Sequence, residues 1–150
     1  MKWLAPISIL LAALFGAPRS QPAAHDDVVS FMAVDILIDS KQEPLAAYQL
    51  EFSVKSRNAK VVGVEGGGHP AFKDAPFYDP KAMQQERVIL AAFSTSAKDK
   101  LPKGKTRVAT IHLQVTDGGR PALDLKLDTT ATADGNRISA AATFEERKAK

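Results

Sequence analysis

The sequence contains no cysteine among its 150 residues. Disulfide bonds and zinc sites built from thiolates are therefore excluded. A protein without these cross-links depends on its hydrophobic core, and this length suits one domain with such a core plus a leader. Apolar residues make up 45% of the chain, which is ordinary for a globular protein.

The chain also has little net charge. Its formal charge is +3, but Lys2 and Arg19 lie in the predicted leader, and without them +1 remains. The charges of residues 145–150 account for that last unit, so the folded part is close to neutral, with both signs interspersed. Binding to DNA or RNA usually requires a basic face, so the sequence predicts no nucleic-acid partner.

Motifs for catalysis and metal binding are lacking as well. The histidines His25, His69 and His112 form no His-x-x-x-His pair. No Gly-Lys-Ser/Thr follows the three glycines 66–68, so we interpret them as a turn and not as a phosphate loop. Ser94 lies in no Gly-x-Ser-x-Gly elbow. The sequence therefore predicts no catalytic residue, no metal site and no cofactor.

Calcium is an alternative that the sequence leaves open. Asp74, Asp79, Asp128 and Asp134 lie in or near predicted loops, and calcium binds to loops rich in oxygen ligands. No Asp-x-Asp-x-Asp-Gly run is present, however. Turn formation and solubility are the interpretation that we prefer for these carboxylates.

A single long apolar run occurs near the N-terminus. Lys2 precedes the apolar residues 3–15, which small and polar residues follow. This pattern is typical of a secretory signal peptide, and the run is short for a transmembrane helix. We predict a signal peptide over residues 1–20, with cleavage somewhere in 17–24. No second run could span a membrane, so we expect a secreted, periplasmic or cell-surface protein without a membrane span after processing.

Alternation of apolar and polar residues is the dominant pattern in the remainder of the chain. In residues 45–55, Tyr48, Leu50, Phe52 and Val54 alternate with polar side chains. Successive side chains of a strand point to opposite faces, so this segment has one face for a core and one for water. We predict a central strand of a β-sandwich.

Other segments repeat this pattern, separated by turn residues: 28–39, 60–65, 87–95, 107–115, 123–127 and 138–144. Residues 87–95 are apolar on both faces, which fits a central strand covered on both sides or a strand whose outer face binds something. In residues 107–115 we expect Ala109 to point inward and Val108 outward. These segments predict an all-β antiparallel sandwich of about eight short strands.

The segment 69–86 is the least regular part and carries Phe72, Phe77 and Tyr78 among prolines. A loop of this length in a compact domain is often functional. The three rings could stack on sugars, anchor a protein partner or close the open end of the sandwich. We prefer the last of these interpretations.

The order and spacing of these segments resemble a cohesin domain between residues 34 and 144. The resemblance rests on Val34-Asp35-Ile36-Leu37-Ile38-Asp39, on residues 45–52, on Val61-Val62-Gly63-Val64-Glu65-Gly66-Gly67, on residues 88–93 and on Ala133-Asp134-Gly135-Asn136. It implies a nine-stranded jelly-roll sandwich, so we expect eight to nine strands in a domain over residues 28–144, followed by a charged tail, 145–150. The chain departs from the family at residues 54–56, where Tyr-Asp-Pro is usual.

Cohesins bind proteins: one sheet face receives a dockerin, a small helical module with paired calcium loops, and this pairing assembles polysaccharide-degrading enzymes. The resemblance therefore implies an exported, non-catalytic module that docks a dockerin-type partner. The residues expected to contact it are Gln49, Glu51, Ser53, Phe72, Phe77 and Tyr78. The alternative is a carbohydrate-binding module that recognises a polysaccharide through its loop aromatics.

Overall fold

The computed structural model describes residues 28–147, which form seven strands and three short 3₁₀ turns. The strands are β1 (Ser30–Asp39), β2 (Ala47–Val54), β3 (Ala59–Gly66), β4 (Arg87–Phe93), β5 (Lys105–Val115), β6 (Leu123–Ala131) and β7 (Ala141–Glu146). The 3₁₀ turns are Pro70–Phe72, Pro80–Ala82 and Lys98–Lys100. The predicted signal peptide lies outside the described residues.

The seven strands form two sheets. One has the order β3-β5-β1-β7 and the other the order β4-β2-β6, and every strand pair is antiparallel. The predicted all-β sandwich is thus confirmed, with seven strands in place of the expected eight to nine. Two isolated bridges, Phe77 to Ala91 and Ala131 to Arg137, lie where longer pairing would have added strands.

β2 is the central strand of the three-stranded sheet, as predicted. Its inward residues Leu50 and Phe52 are fully buried, and the ring of Tyr48 is buried beside them. The Tyr48 hydroxyl donates a hydrogen bond to the Val108 carbonyl oxygen at 3.2 Å, which links the two sheets. Burial raises the pKa of Tyr48 above its ordinary value, so this hydroxyl stays protonated as a donor.

β5 departs from the predicted alternation at one residue. Ile36 of β1 pairs with Ala109 and Leu37 pairs with Arg107, so Val108 is an extra residue at a β-bulge. Val108 and Ala109 are both fully buried in the core. The expectation that Val108 points to solvent is therefore wrong, because the bulge turns two consecutive side chains inward.

The last strand lies further along the chain than predicted. β7 begins at Ala141 and ends at Glu146, so the first residues of the expected tail belong to the sheet. Two ion pairs hold this end: Lys105 lies 2.6 Å from Glu145, and Arg147 lies 2.6 Å from Asp35. The turn that includes Gly135 leads only to an isolated bridge before the chain crosses to the other sheet.

Arg147 completes a polar network on the outer face of the four-stranded sheet. The buried Thr110 hydroxyl donates to Asp35 at 2.7 Å and accepts from Arg107 at 2.8 Å and from Arg147 at 2.9 Å. Arg107 also donates to the Gly66 carbonyl oxygen at 3.2 Å. The network therefore ties β1, β3 and β5 to the residue that follows β7.

Close packing against backbone atoms requires two of the three glycines 66–68, Gly66 and Gly67. A Cβ on Gly66 would lie 1.9 Å from the Lys73 carbonyl oxygen, and one on Gly67 would lie 2.2 Å from that of Arg107. The Gly67 amide donates to the Phe72 carbonyl oxygen at 2.6 Å. These glycines thus allow the loop around Phe72 to fold back onto the end of β3.

We predict that Leu50→Ala destabilises the fold strongly, because it leaves a cavity between the sheets. The free energy of unfolding should fall by about 2–5 kcal/mol. The neighbouring exposed residue provides a matched control, since Gln49→Ala should change it by no more than about 0.5 kcal/mol. Urea unfolding measures both, and equal effects of the two substitutions would contradict this account of the core.

We also predict a pH dependence from Asp35. Burial alone would raise the pKa of its carboxyl, but hydrogen bonds from Arg147 and Thr110 and the charges of Arg147 and Arg107 outweigh burial and hold the pKa below its ordinary value. The ionised carboxylate therefore stabilises the fold fully above the ordinary aspartate pKa of about 3.9, and this contribution is lost as the pH falls below that value.

Asp35→Asn should remove this part of the pH dependence. Urea unfolding between about pH 2 and pH 5 should show a shallower fall in stability for Asp35→Asn than for the unmodified chain. Asp74→Asn, at an exposed loop residue, serves as the control and should keep the full slope. Identical slopes for the chain and Asp35→Asn would show that the network does not contribute.

Candidate protein-docking face

The outward side chains of β2, β4 and β6 form one face of the sandwich, which we call the docking face. Strand alternation places Gln49, Glu51 and Ser53 on it, because Leu50 and Phe52 point into the core. Gln49 is exposed and Glu51 is half-buried. Two of the three residues predicted on β2 are therefore accessible to a partner.

Ser53 lies on the same face but offers almost no surface. It pairs with Arg87 of β4 on one side and with Asp124 of β6 on the other, and only 6% of it is exposed. Ser53 therefore offers little surface for the contact that the sequence predicts. A short side chain in the central strand is covered by longer neighbours on both flanks.

The three aromatic residues of the 69–86 loop take different places. Phe72 is 4% exposed and packs edge-on against Tyr48, with ring centroids 5.4 Å apart. Tyr78 is half-buried and packs against the core, whereas Phe77 is 70% exposed. Phe72 is therefore part of the core and offers little surface to a partner, whereas Phe77 is accessible.

Phe77 joins the docking face through the edge of β4. Its amide donates to the Ala91 carbonyl oxygen at 2.8 Å, and the Ala91 amide donates back at 3.0 Å. Residues paired in this way have their side chains on the same face. The Phe77 ring lies parallel to that of Phe93, with centroids 6.2 Å apart and an angle of 12° between the planes.

These rings belong to an apolar row that we call the β4 strip, made of Phe77, Ile89, Ala91 and Phe93. Phe93 is 65% exposed and Ile89 is 40% exposed. Sequence reasoning did not select Phe93 or Ile89 as contact residues. The signal that could have identified them was that residues 87–95 are apolar on both faces. The interpretation of this segment as a central strand is wrong, because β4 lies at the edge of its sheet. The alternative interpretation, a strand whose outer face binds something, stays a prediction.

Charged residues fill the rest of the docking face as neighbouring pairs of opposite sign. Arg87 lies 2.6 Å from Glu51, Lys126 lies 2.9 Å from Asp128, and Lys55 lies 3.7 Å from Asp124. The three pairs together have no net charge.

The closest of these pairs shifts both of its groups toward the charged form. The hydrogen bond from Arg87 lowers the pKa of Glu51 below its usual value, and the smaller effect of desolvation opposes this shift. The same bond raises the pKa of Arg87.

The other candidate residues have local structural roles. The His69 side chain accepts a hydrogen bond from the Ala71 amide at 3.1 Å, and Asp79 accepts one from the Lys81 amide at 2.9 Å. His112 lies 3.2 Å from Glu65 on the opposite sheet. Within residues 28–147, no group of three or more His, Cys, Asp or Glu side chains is placed to hold a metal ion.

None of the helical segments among the described residues is long and apolar enough to cross a membrane.

A comparison with solved structures shows which known fold the chain resembles. No protein-family model matches the chain, and no curated protein matches it. In structure, the chain is similar to a chain in the crystal structure of a type I cohesin–dockerin complex from Clostridium thermocellum, with a TM-score of 0.55 and 13% sequence identity. The match covers 73% of this chain and 82% of that one.

At this identity the likeness concerns the fold alone. The chain has a cohesin-like fold, which confirms the resemblance expected from the order of its strands.

We predict that the two phenylalanines of the loop differ in their effect on stability. Phe72→Ala should lower the free energy of unfolding by about 3–5 kcal/mol, because it opens a cavity beside Tyr48. Phe77→Ala removes only an exposed ring pair and should cost at most about 1.5 kcal/mol. Thermal or urea unfolding distinguishes them, and a larger loss for Phe77→Ala would contradict the placement of the two rings.

Proposed function

We propose that the chain is an exported, non-catalytic module that docks another protein on its docking face. The observation that carries the proposal is the combination of a cohesin-like fold with an exposed apolar strip on an open sheet face. Contiguous apolar surface on a soluble domain is typical of an interaction site. The contact residues proposed from the original set are Gln49, Glu51 and Phe77.

The partner that we propose is a protein of the dockerin type, in an assembly that acts on polysaccharides. Two arguments support it: the structurally similar chain comes from a cohesin–dockerin complex, and the described strands leave the docking face open. Export is proposed from the apolar leader alone.

Carbohydrate binding is the second candidate, and one observation favours it. Phe77 and Phe93 are exposed with nearly parallel rings, an arrangement that sugar rings can stack on. Sugar hydroxyls also need hydrogen-bonding partners, however. Two charged groups of the same face, Glu51 and Arg87, already bind each other at 2.6 Å. We therefore rank protein docking first.

A pull-down tests the proposal. The chain without residues 1–20, which retains every described residue, is immobilised and exposed to the exported proteins of its host, with and without a calcium chelator. We expect the chain to capture a protein with duplicated Asp-rich loops. The chelator should abolish this capture, because such loops need calcium to take their shape. The control is Leu50→Ala, whose damaged core should reduce capture.

A parallel column of insoluble polysaccharide separates the two candidates. Retention of the chain on this column, without any captured protein, would reject protein docking and support carbohydrate binding. Capture of a protein regardless of the chelator would retain docking but reject a dockerin-type partner.

A further inference from the structure

We infer that the chain self-associates through the side of the sandwich where β6 and β7 meet, with Phe31 of each copy entering a cleft of the other. The partner at this surface is a second copy of the chain. The surface lies between the two sheets, at the edge away from β4, so the inference does not rest on the proposed docking function.

The cleft opens between the sheets because β7 is shorter than β1. β7 pairs with the residues Val34 to Asp39 of β1, and among the described residues no strand continues this pairing beside Ser30–Met32. The cleft that results has a volume of about 640 Å³ and extends to the start of β6. A cavity of about 150 Å³ holds a benzene molecule, so this cleft has room for a phenylalanine ring.

Apolar side chains from both sheets line the cleft. Met32 of β1 and Phe144 of β7 belong to one sheet, while Leu123 and the preceding Pro121 lie at the start of β6 in the other. Phe144 is 38% exposed and packs edge-on against the buried Phe52, with ring centroids 6.4 Å apart. Its position is thus fixed by the core, and covering its exposed part removes apolar surface from water.

Phe31 stands beside this cleft but points away from it. At 72% exposure it is the most exposed of the large apolar side chains in the described part of the chain. Met32 and Val34 point inward, so alternation places Phe31 on the outer face of its sheet. Phe31 borders a second cavity, which shares Met32 and Pro121 with the cleft. Its ring therefore lies next to the cleft without filling it.

An exposed ring next to an open apolar cleft is self-complementary. A two-fold axis brings each Phe31 to the cleft of the other copy, because the same patch then serves both sides of the interface. Val28 and Val29, just before β1, are 65% and 47% exposed and extend the apolar patch. Apolar residues exposed together in this way are typical of an interaction surface.

The charges at the rim of the cleft also suit a second copy. Arg120 and Glu146 lie 3.0 Å apart, and the Arg120 side chain is 82% exposed. The pair has no net charge, so two copies do not repel each other here. A two-fold axis also lets Arg120 of each copy face Glu146 of the other. A strongly charged partner would gain no long-range attraction from such a rim.

Sedimentation velocity of the chain without residues 1–20 measures the self-association directly. From about 5 to 500 µM, a range suited to weak association, the mean mass should rise from that of a monomer toward that of a dimer. Phe31→Ser should weaken dimerisation by about 30-fold or more, which is the effect of losing a hot-spot contact. Phe77→Ser is the matched control: Phe77 is 70% exposed on the docking face, and its loss should leave dimerisation unchanged.

Two further variants test the geometry of the interface. Arg120→Glu places like charges across the two-fold axis and should weaken dimerisation, and the addition of Glu146→Arg should restore it. Phe31→Trp gives the shortened chain a single tryptophan, because Trp3 lies within the removed residues. Its fluorescence emission should shift to shorter wavelength as the concentration rises, because the ring leaves water. Urea unfolding verifies that every variant is folded.

The outcomes separate this inference from the docking function. A monomer at every concentration, or a dimer that folded Phe31→Ser leaves intact, would overturn the inference while the result of the pull-down stands. A dimer that Phe77→Ser weakens and Phe31→Ser does not would place self-association on the docking face and equally overturn it. Phe31→Ser should capture the same protein in the pull-down as the unmodified chain, because the two surfaces are separate.

Discussion

The packing of two antiparallel sheets against each other is the constraint on which the rest of this structure depends. Leu50 and Phe52 of β2 are fully buried between the sheets, opposite Ile36 and Ile111 in the same core. Because side chains alternate with a period of two, their burial fixes which residues of β2 face outward. A shift by one residue would exchange the core and the docking face, at the cost of the whole apolar interior.

The docking face is a consequence of this arrangement. β4 lies at the edge of the smaller sheet, where one bridge to Phe77 pairs with its outer side. Its inward residues Val88 and Leu90 meet the core, and its outward residues Ile89 and Phe93 meet solvent. Much of this outer apolar surface is exposed to solvent, and we propose that a protein partner covers it. The ion pairs beside it keep that surface soluble without giving it a net charge.

Local patterns in the sequence were sufficient for the class of fold and for the inward face of β2. Alternation is a local signal, and it identified Leu50 and Phe52 directly. The placement of Val108 could not be obtained in this way, because a bulge depends on the register with β1. The extent of β7 likewise depends on distant partners, since Arg147 is held by Asp35, more than a hundred residues earlier.

The candidate site was predictable only in part, for a related reason. The sequence pattern predicted that Gln49 and Glu51 point away from the core, because they alternate with core residues. It could not distinguish Phe72, which fills the core beside Tyr48, from Phe77, which is exposed. That difference arises from how an irregular loop folds back onto close-packed glycines. Phe93 was overlooked because its exposure follows from the position of β4 at a sheet edge, and strand order is a property of the assembled sheet.

Hydrogen–deuterium exchange of the chain, free and bound to the protein that it captures, tests the central claim most directly. We predict that binding slows exchange in β4, in the residues around Phe77 and in the part of β2 that pairs with β4. Exchange in β1, β5 and β7 should stay as in the free chain. Protection confined to the four-stranded sheet, with β4 unchanged, would contradict docking on the three-stranded sheet.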